Sequence, residues 1–124
     1  MTKPFILTAE DRKHLKRKVF LHLTTYCRGR YAAIRGKDLA WQCGYGTDDR
    51  KVRLIIRELI AEGVPIASSV SEPMGFYMVV NEHEAADYIR VLKERIKEDT
   101  SRLHDFEKAT AHLDIPVQSG LFQQ

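Results

Sequence analysis

Residues 47–63 read TDDRKVRLIIRELIAEG and decide the fold, because they carry the pattern of one amphipathic helix followed by a stop signal. Its core aliphatic residues fall on one face at helical spacing: Val52, Ile55, Ile56, Leu59 and Ile60. Thr47 or Asp48 is expected to cap the first turn, and Gly63 to end the helix in the left-handed conformation. The pattern therefore predicts a helix over residues 47–62 that packs through one side.

The other side of this helix is basic. Four residues lie opposite the packing face, and two cations flank them: Arg50, Leu54, Arg57 and Ala61, with Lys51 and Arg53. The major groove of DNA admits one helix, and the forked guanidinium of arginine matches guanine edges and phosphates. We therefore expect the helix to bind duplex DNA, and the alternative is a basic face that contacts only solvent.

Composition predicts a single cytoplasmic domain with an extension. The 124 residues hold no run of about 18 apolar residues, so no membrane span is expected. The N-terminus lacks the apolar stretch of a signal peptide. Cys27 and Cys43 are too few for a disulfide framework. The expected compartment is the cytoplasm: the nucleoid, or the host cytoplasm for a phage-encoded chain.

The charge is distributed unevenly along the chain. Residues 1–63 hold 14 Lys and Arg against 7 Asp and Glu, whereas residues 64–124 hold 6 against 10. A polyanion is therefore expected to dock on the first half, and the acidic second half is expected to have a separate role.

Two helices are predicted before the basic one. Thr8 and Asp11 resemble a capping box that opens a helix over residues 9–26. Its predicted inner face consists of four residues: Leu15, Val19, Leu23 and Tyr26. Residues 32–34 are predicted to form a short edge strand. A second helix is expected over residues 37–43, with three residues inside: Leu39, Ala40 and Cys43.

A hairpin and a long helix are predicted after the basic helix. The hairpin pairs residues 64–70 with residues 76–80. Asn81 and Glu84 open the long helix over residues 82–113. Its apolar residues follow a heptad repeat: Ile89, Leu92, Ile96, Leu103, Phe106 and Leu113. We expect this seam, although Asp99 and Thr110 interrupt it, to form a homodimer as a short coiled coil. The alternative is a helix whose first half packs on the core and whose second half is solvated.

Four motifs carry a resemblance to a known family. They are Ala-Ile-Arg-Gly-Lys-Asp-Leu-Ala at 33–40, Asp-Arg-Lys-Val-Arg at 49–53, Leu-Ile-Ala-Glu-Gly-Val-Pro-Ile at 59–66 and Gly-Phe-Tyr at 75–77. These motifs resemble the winged-helix domain of the biotin repressor. They are also similar to small phage and prophage winged-helix proteins without an enzyme domain. The resemblance implies a winged helix-turn-helix that binds double-stranded DNA, with residues 47–62 as recognition helix and residues 66–80 as wing.

The chain departs from this family in two places. Ala40 and Val52 are twelve positions apart, where about ten is common, so a longer turn before the recognition helix is expected. The wing tip contains Glu72 and no cation, whereas wings that enter the minor groove bring one. The wing is therefore expected to contact DNA through serines or backbone N–H groups, or to contact a protein instead.

The residues expected at the DNA interface fall into two groups. Five are expected to face the major groove: Arg50, Lys51, Arg53, Leu54 and Arg57. Five others are expected to contact phosphates and so to position the protein: Thr47, Lys37, Arg28, Arg30 and Arg35. Five of the heptad residues are the predicted dimer contacts: Ile89, Leu92, Ile96, Leu103 and Phe106.

The sequence contains no recognisable catalytic constellation. The five histidines are scattered, the cysteines lack the paired spacing of a zinc site, and no glycine-rich phosphate loop is present. We therefore expect no enzymatic activity, no metal and no cofactor.

The C-terminal tail carries one further motif. Gln118, Leu121 and Phe122 stand in a stretch that resembles the Gln-x-x-Leu-Phe peptide with which bacterial replication and repair proteins bind the sliding clamp. A Leu-Phe pair on a polar end suits an apolar pocket on a partner.

The predicted organisation is therefore an N-terminal tail over residues 1–8, a winged helix-turn-helix over 9–80, a long dimerisation helix over 81–114 and a flexible tail over 115–124. The expected fold class is mainly α with a small β-hairpin. The expected function is that of a phage or prophage transcription regulator acting as a homodimer on duplex DNA. A replication or recombination accessory protein that binds the clamp, and a winged-helix module that binds proteins, are the alternatives.

Overall fold

The computed structural model describes residues 7–113, in which three helices precede one short hairpin and a long helix follows it. A 3₁₀ turn at Arg30–Ala32 precedes the second helix, and the elements follow in chain order: α1 Ala9–Tyr26, α2 Gly36–Gln42, α3 Arg50–Ala61, β1 Ile66–Ser69, β2 Gly75–Met78 and α4 Glu82–Thr110. The predicted class is confirmed, since the chain is mainly α-helical with a small antiparallel hairpin and a long C-terminal helix. Contacts divide the chain into two units, one ending at Tyr88 and the other beginning at Ile89.

The first helix forms as predicted at its start and on most of its inner face. The Thr8 hydroxyl accepts a hydrogen bond from the Asp11 N–H at 3.1 Å, which caps the helix. Three of the four predicted inner residues, Leu15, Val19 and Leu23, are completely buried. Tyr26 was predicted inside and is 70% exposed. The correction has a simple cause: Cys27, one turn after Leu23, takes the last buried position at this end of α1.

The third helix starts later than predicted. It begins at Arg50, so the expected caps at Thr47 and Asp48 are wrong, and Asp49 occupies the cap position. The Asp48 carboxylate accepts a hydrogen bond from the Arg50 N–H at 3.2 Å. This local turn competes with the helix for backbone groups, so residues 47–49 extend the preceding turn instead. The long turn expected between the helices is confirmed, since residues 43–49 separate α2 from α3.

The end and the buried face of α3 agree with the prediction except at one residue. Gly63 takes a φ of +102°, so the predicted stop is confirmed. The buried stripe consists of four residues: Val52, Ile55, Ile56 and Leu59. Ile60 was predicted to belong to it and is 46% exposed, because it lies at the edge of the stripe beside the last turn.

The core of the first unit is aliphatic and draws on every element before α4. Its fully buried large side chains come from three helices: Leu15, Val19, Leu23, Leu39, Val52 and Ile55. Each such side chain contributes about 1.5–3 kcal/mol when it leaves water. Cys43, predicted inside α2, is buried beside Leu39 and Ala40. Burial raises the pKa of both the Cys27 and the Cys43 thiol, which favours the neutral form.

The hairpin is shorter than predicted. Ile66 pairs with Met78 at its base and Ser69 with Gly75 at its end. The strands thus form four residue pairs, whereas pairing of residues 64–70 with residues 76–80 was predicted. At the end of β1, the Ser69 hydroxyl accepts a hydrogen bond from the Ser71 N–H at 3.1 Å. The Ser69 hydroxyl also donates to the Ser71 carbonyl at 3.0 Å, so a local turn forms where the strand ends.

The segment before α2 contacts the hairpin through single residues. The predicted strand over residues 32–34 is wrong in extent, since the chain turns at Arg30–Ala32 and only Ile34 forms a bridge with Phe76. The Ile34 and Phe76 N–H groups donate to each other's carbonyl oxygens at 2.9 and 2.7 Å. Gly75 makes this approach feasible: its φ is +124°, and a Cβ at this position would overlap the carbonyl group of Ile34.

The long helix is capped at its start and ends before the predicted residue. The Glu84 N–H donates to the Asn81 side chain at 2.9 Å, as the capping motif predicts. The helix ends at Thr110, and residues 111–113 form a turn. The Thr110 hydroxyl donates to the Phe106 carbonyl at 2.8 Å, a bond that competes with the helical ladder. Within residues 7–113, no helix is long and apolar enough to cross a membrane.

Candidate nucleic-acid interface

The third helix turns an arginine-bearing face to solvent because its other face packs into the core. Arg50, Arg53 and Arg57 are exposed, whereas Lys51 and Leu54 are half-buried. The spacing of three and four positions places the three arginines on one side of the helix. Of the five residues predicted to face the major groove, these three therefore reach furthest outward.

Two ion pairs fix the orientation of α3 against α1. Arg12 Nε lies 3.4 Å from Glu58 Oε1, and the Lys16 ammonium pairs with the Glu62 carboxylate. Glu58 lies in the last turn of α3, and Glu62 follows the helix at its C-cap. Two of the cations counted in the basic first half are thus paired within the first unit.

Arg50 is held by a carboxylate from the turn before the helix. Arg50 Nε donates to Asp48 Oδ1 at 3.0 Å, and Arg50 Nη2 donates to Asp48 Oδ2 at 2.8 Å. This two-point contact occupies one edge of the guanidinium fork. The hydrogen bonds from Arg50 lower the pKa of the Asp48 carboxyl to about 2, so it is ionised at neutral pH.

Arg53 is held on three sides. Its Nε donates to Asp49 Oδ2 at 2.8 Å, and its guanidinium carbon lies 5.2 Å from the centre of the Phe76 ring. The backbone of Gly36 approaches from α2, where an added Cβ would lie 3.0 Å from Arg53 Nη2. Arg53 therefore stands where α2, α3 and the hairpin meet, with its side chain restricted.

Several predicted contact residues are exposed and make no ion pair with any residue between 7 and 113: Arg28, Lys37 and Arg57. Thr47 is exposed on the turn before α3. Lys51 Nζ lies 5.5 Å from the centre of the Tyr45 ring, which restricts the lysine beside the turn. Among the three exposed cations, Arg57 is the one that belongs to α3.

A shallow cleft brings three of the predicted DNA-contacting cations together. It measures about 300 Å³ and is lined by residues of α2, α3 and the hairpin: Arg35, Gly36, Lys37, Asp49, Arg53, Met74 and Gly75. The two glycines leave room between the cations. An anionic oxygen placed in this cleft would meet positive charge from the start of α2 and from α3, and negative charge from Asp49.

The hairpin tip receives cations from another part of the chain. The Arg30 guanidinium donates to the carbonyls of Ser71 and Pro73 at 3.0 Å each. Arg35 Nη2 pairs with Glu72 Oε1 at 3.2 Å. Sequence reasoning saw an acidic tip without a cation and missed these contacts, because their partners lie about forty positions apart. Arg30 thus braces the tip, and its contact with phosphate stays a prediction.

The predicted dimer contacts lie on the outer part of α4, in the second unit. The heptad residues Ile89, Leu92, Ile96, Leu103 and Phe106 are between 38% and 66% exposed. Leu113 is also exposed. Arg102 lies 4.0 Å from Asp99, the residue that interrupts the seam.

The predicted clamp-binding residues Gln118, Leu121 and Phe122 lie outside the described residues, as do most of both predicted tails. Comparison of the chain with protein-family models, with curated proteins and with solved structures gives no match. Function is therefore inferred from the side chains and contacts described above.

Proposed function

We propose that this chain is a winged-helix protein that binds double-stranded DNA as a homodimer, in the role of a phage or prophage transcription regulator. The observation that carries the proposal is the outer face of α3, where Arg50, Arg53 and Arg57 are exposed together. A helix with one packed face and three outward arginines has the shape and charge that the major groove accepts. Arg57 and Arg53 are the proposed base-contacting residues.

The arrangement around the hairpin supports the winged-helix part of the proposal. β2 pairs with β1 on one side, and Ile34 bridges to Phe76 on the other. A second bridge joins Arg28 to Met78. The hairpin is thereby attached to the segment between α1 and α2, as a wing must be if it is to lie beside the recognition helix.

The cleft between α2, α3 and the hairpin is the proposed phosphate contact. Lys37 brings a charge without an ion pair among residues 7–113, and Arg35 contributes a guanidinium group beside it. Such contacts position the protein on the duplex and carry no sequence information. The exposed heptad residues of α4 are proposed to pair two copies and so to set the distance between two half-sites.

Fluorescence anisotropy with a mixed-sequence duplex at about 50 and 200 mM salt tests the proposal, because phosphate contacts weaken as counterions rise. We expect tight binding at low salt that falls steeply at high salt. Arg53→Ala and Arg57→Ala are each expected to weaken binding by about 1–3 kcal/mol if the residue contacts a base. Arg102→Ala, which removes one cation from α4, is the matched control and is expected to leave the affinity nearly unchanged.

Two outcomes would contradict the proposal. Equal affinities of wild type, Arg53→Ala and Arg57→Ala would remove the recognition-helix assignment. Absence of salt-dependent DNA binding would favour the second candidate function, a module that binds proteins. The exposed aromatic side chains of Tyr26, Tyr31 and Trp41 favour that candidate, since such residues are enriched in protein interfaces.

The tail motif separates two roles within DNA binding. A replication or recombination accessory protein is expected to bind the sliding clamp and to lose that binding with Leu121→Ala and Phe122→Ala. A transcription regulator is expected to bind DNA without the clamp. A pull-down of purified clamp with both forms of the full chain distinguishes the two roles.

A further inference from the structure

Two carboxylates at the start of α3 each hold one of its arginines. The Asp48 carboxylate accepts hydrogen bonds from Arg50 Nε at 3.0 Å and from Arg50 Nη2 at 2.8 Å. Asp49 accepts from Arg53 Nε at 2.8 Å. The two acidic residues thus compete with any outside ligand for Arg50 Nε and Nη2 and for Arg53 Nε.

The competition is direct because a carboxylate and a phosphate offer a guanidinium the same kind of ligand. Both present two acceptor oxygens to the forked N–H donors. For Arg50 to bind a phosphate through its Nε edge, it must first release Asp48. The released carboxylate would then stand close to a second anion, and repulsion between them would weaken the contact.

We propose that Asp48 and Asp49 are specificity-determining residues, which keep Arg50 and Arg53 from binding phosphates indiscriminately and favour contact with base edges. The inference rests on the proposed function of α3 as a DNA-binding helix. It assigns the acidic pair a role in discrimination, beyond shaping the start of the helix.

Base edges differ from phosphates in one respect that matters for a carboxylate. A phosphate has only acceptors to offer, whereas cytosine presents an N4 amino donor in the major groove. An arginine that contacts guanine can therefore leave its aspartate near a donor, instead of near a second anion. The carboxylates thus oppose phosphate contacts more strongly than they oppose a matching base pair.

The test uses the full chain and a mixed-sequence duplex, with Asp48→Asn and Asp49→Asn measured separately and together. Asparagine preserves the side-chain oxygen and the capping preference, so the start of the helix is expected to persist, and circular dichroism checks this. Each variant is expected to bind DNA more tightly. The slope of the logarithm of the binding constant against the logarithm of the salt concentration is expected to become steeper by about 0.9, as for one added phosphate contact. The gain is then roughly three- to fourfold larger at about 50 than at about 200 mM salt.

Asp105→Asn is the control for net charge. It removes the same charge from an exposed position of α4 that makes no ion pair with any residue between 7 and 113. Its gain in affinity is expected to be smaller than that of Asp48→Asn. Equal gains from all three single variants would overturn the inference, because they would reflect charge alone.

A double-variant cycle isolates the pair itself. If Asp48 acts by holding Arg50, its effect should depend on that arginine. In a chain that already carries Arg50→Ala, Asp48→Asn is therefore expected to raise the DNA affinity no more than Asp105→Asn does. A full gain in the Arg50→Ala background would overturn the pairing. Selection from a randomised duplex pool adds the last readout: wild type is expected to enrich a narrower set of sequences than Asp48→Asn combined with Asp49→Asn.

The possible failures are distinguishable. If wild type and every variant fail to bind at low salt, the proposed function fails and this inference fails with it. If wild type binds with the expected salt dependence but the Asn variants bind no more tightly than Asp105→Asn, only this inference fails. If the Asn variants bind where wild type does not, the proposed function fails, because the natural chain does not bind DNA, and the inference that rests on it fails as well.

Discussion

The backbone N–H of Arg30 donates to the Glu84 carboxylate at 2.8 Å, while the side chain of Arg30 holds the hairpin tip. Glu84 belongs to the first turn of α4, and its other carboxylate oxygen accepts from the Val80 N–H at 3.1 Å. One glutamate therefore joins the start of the long helix to the residue that braces the tip. Ser68 and Tyr88 add a second link, with their hydroxyl oxygens 3.2 Å apart.

Removal of this glutamate is expected to destabilise the first unit. Glu84→Ala leaves the Arg30 and Val80 N–H groups without their acceptor, which costs about 1–3 kcal/mol of unfolding free energy. Urea denaturation followed by circular dichroism measures the change. Glu82→Ala, an exposed glutamate of the same turn, is the control, and an equal loss in both variants would contradict the assigned role.

Substitution of Gly75 tests the approach of Ile34 to the hairpin. Gly75→Ala is expected to displace the hairpin, because the new Cβ would overlap the Ile34 carbonyl and the φ is +124°. Gly46→Ala has a φ of +61° and no atom within 4 Å of the new Cβ, so it is expected to lose only about 1–2 kcal/mol. Thermal denaturation compares the two. Similar losses would show that backbone strain alone, and not the overlap, determines the effect.

The heptad seam of α4 is expected to determine the oligomeric state. Ile96→Lys places a charge in the seam and is expected to convert the proposed dimer to a monomer. Val91→Lys is the matched control, because Val91 is also exposed on α4 but lies off the seam. Sedimentation velocity distinguishes the species. A monomeric wild type, or a dimer that survives Ile96→Lys, would contradict the assignment.

Acid is expected to destabilise the first unit through His22. Burial lowers its pKa from the ordinary value of 6.5, so the unfolded chain binds the proton more readily than the folded one. The stability that neutral His22 contributes is therefore complete above the pKa of the unfolded chain, 6.5. It is lost as the pH falls from there toward the lower pKa of the folded chain. The melting temperature of His22→Gln is expected to fall less than that of wild type between about pH 7.5 and pH 5. His112→Gln, at an exposed position, should behave like wild type.

Periodicity in the sequence was enough to predict which helix faces are buried. In α1 and α3 the spacing of three and four positions selected Leu15, Leu23, Val52 and Ile55 correctly, because a helix buries one stripe whatever its partner is. The pattern failed at the ends of the stripes. Tyr26 and Ile60 continue the periodicity but are exposed, since a stripe ends where the partner surface ends.

Sequence reasoning missed the ion pairs at the start of α3. Asp48 and Asp49 were read as candidates for capping or passed over, whereas they hold Arg50 and Arg53. Asp49 and Arg53 are four positions apart, a spacing that favours a helical ion pair, but an aspartate at this place also suits a helix cap, so the pattern alone did not separate the two roles. The exposed state of Arg57 followed from periodicity, but its lack of an ion pair among residues 7–113 did not.

The sequence by itself determined the order of the helices and the hairpin, the class of the fold and the outward arginine face of α3. These depend on local spacing, on caps such as Thr8 and Asn81, and on stops such as Gly63, all of which act within a few residues. Only the tertiary structure decided that Arg30 braces the hairpin tip, that Gly75 admits Ile34, and that Glu84 joins the start of α4 to Arg30. Their partners lie about forty or more positions away, and side chains so distant in sequence meet only after the core has packed.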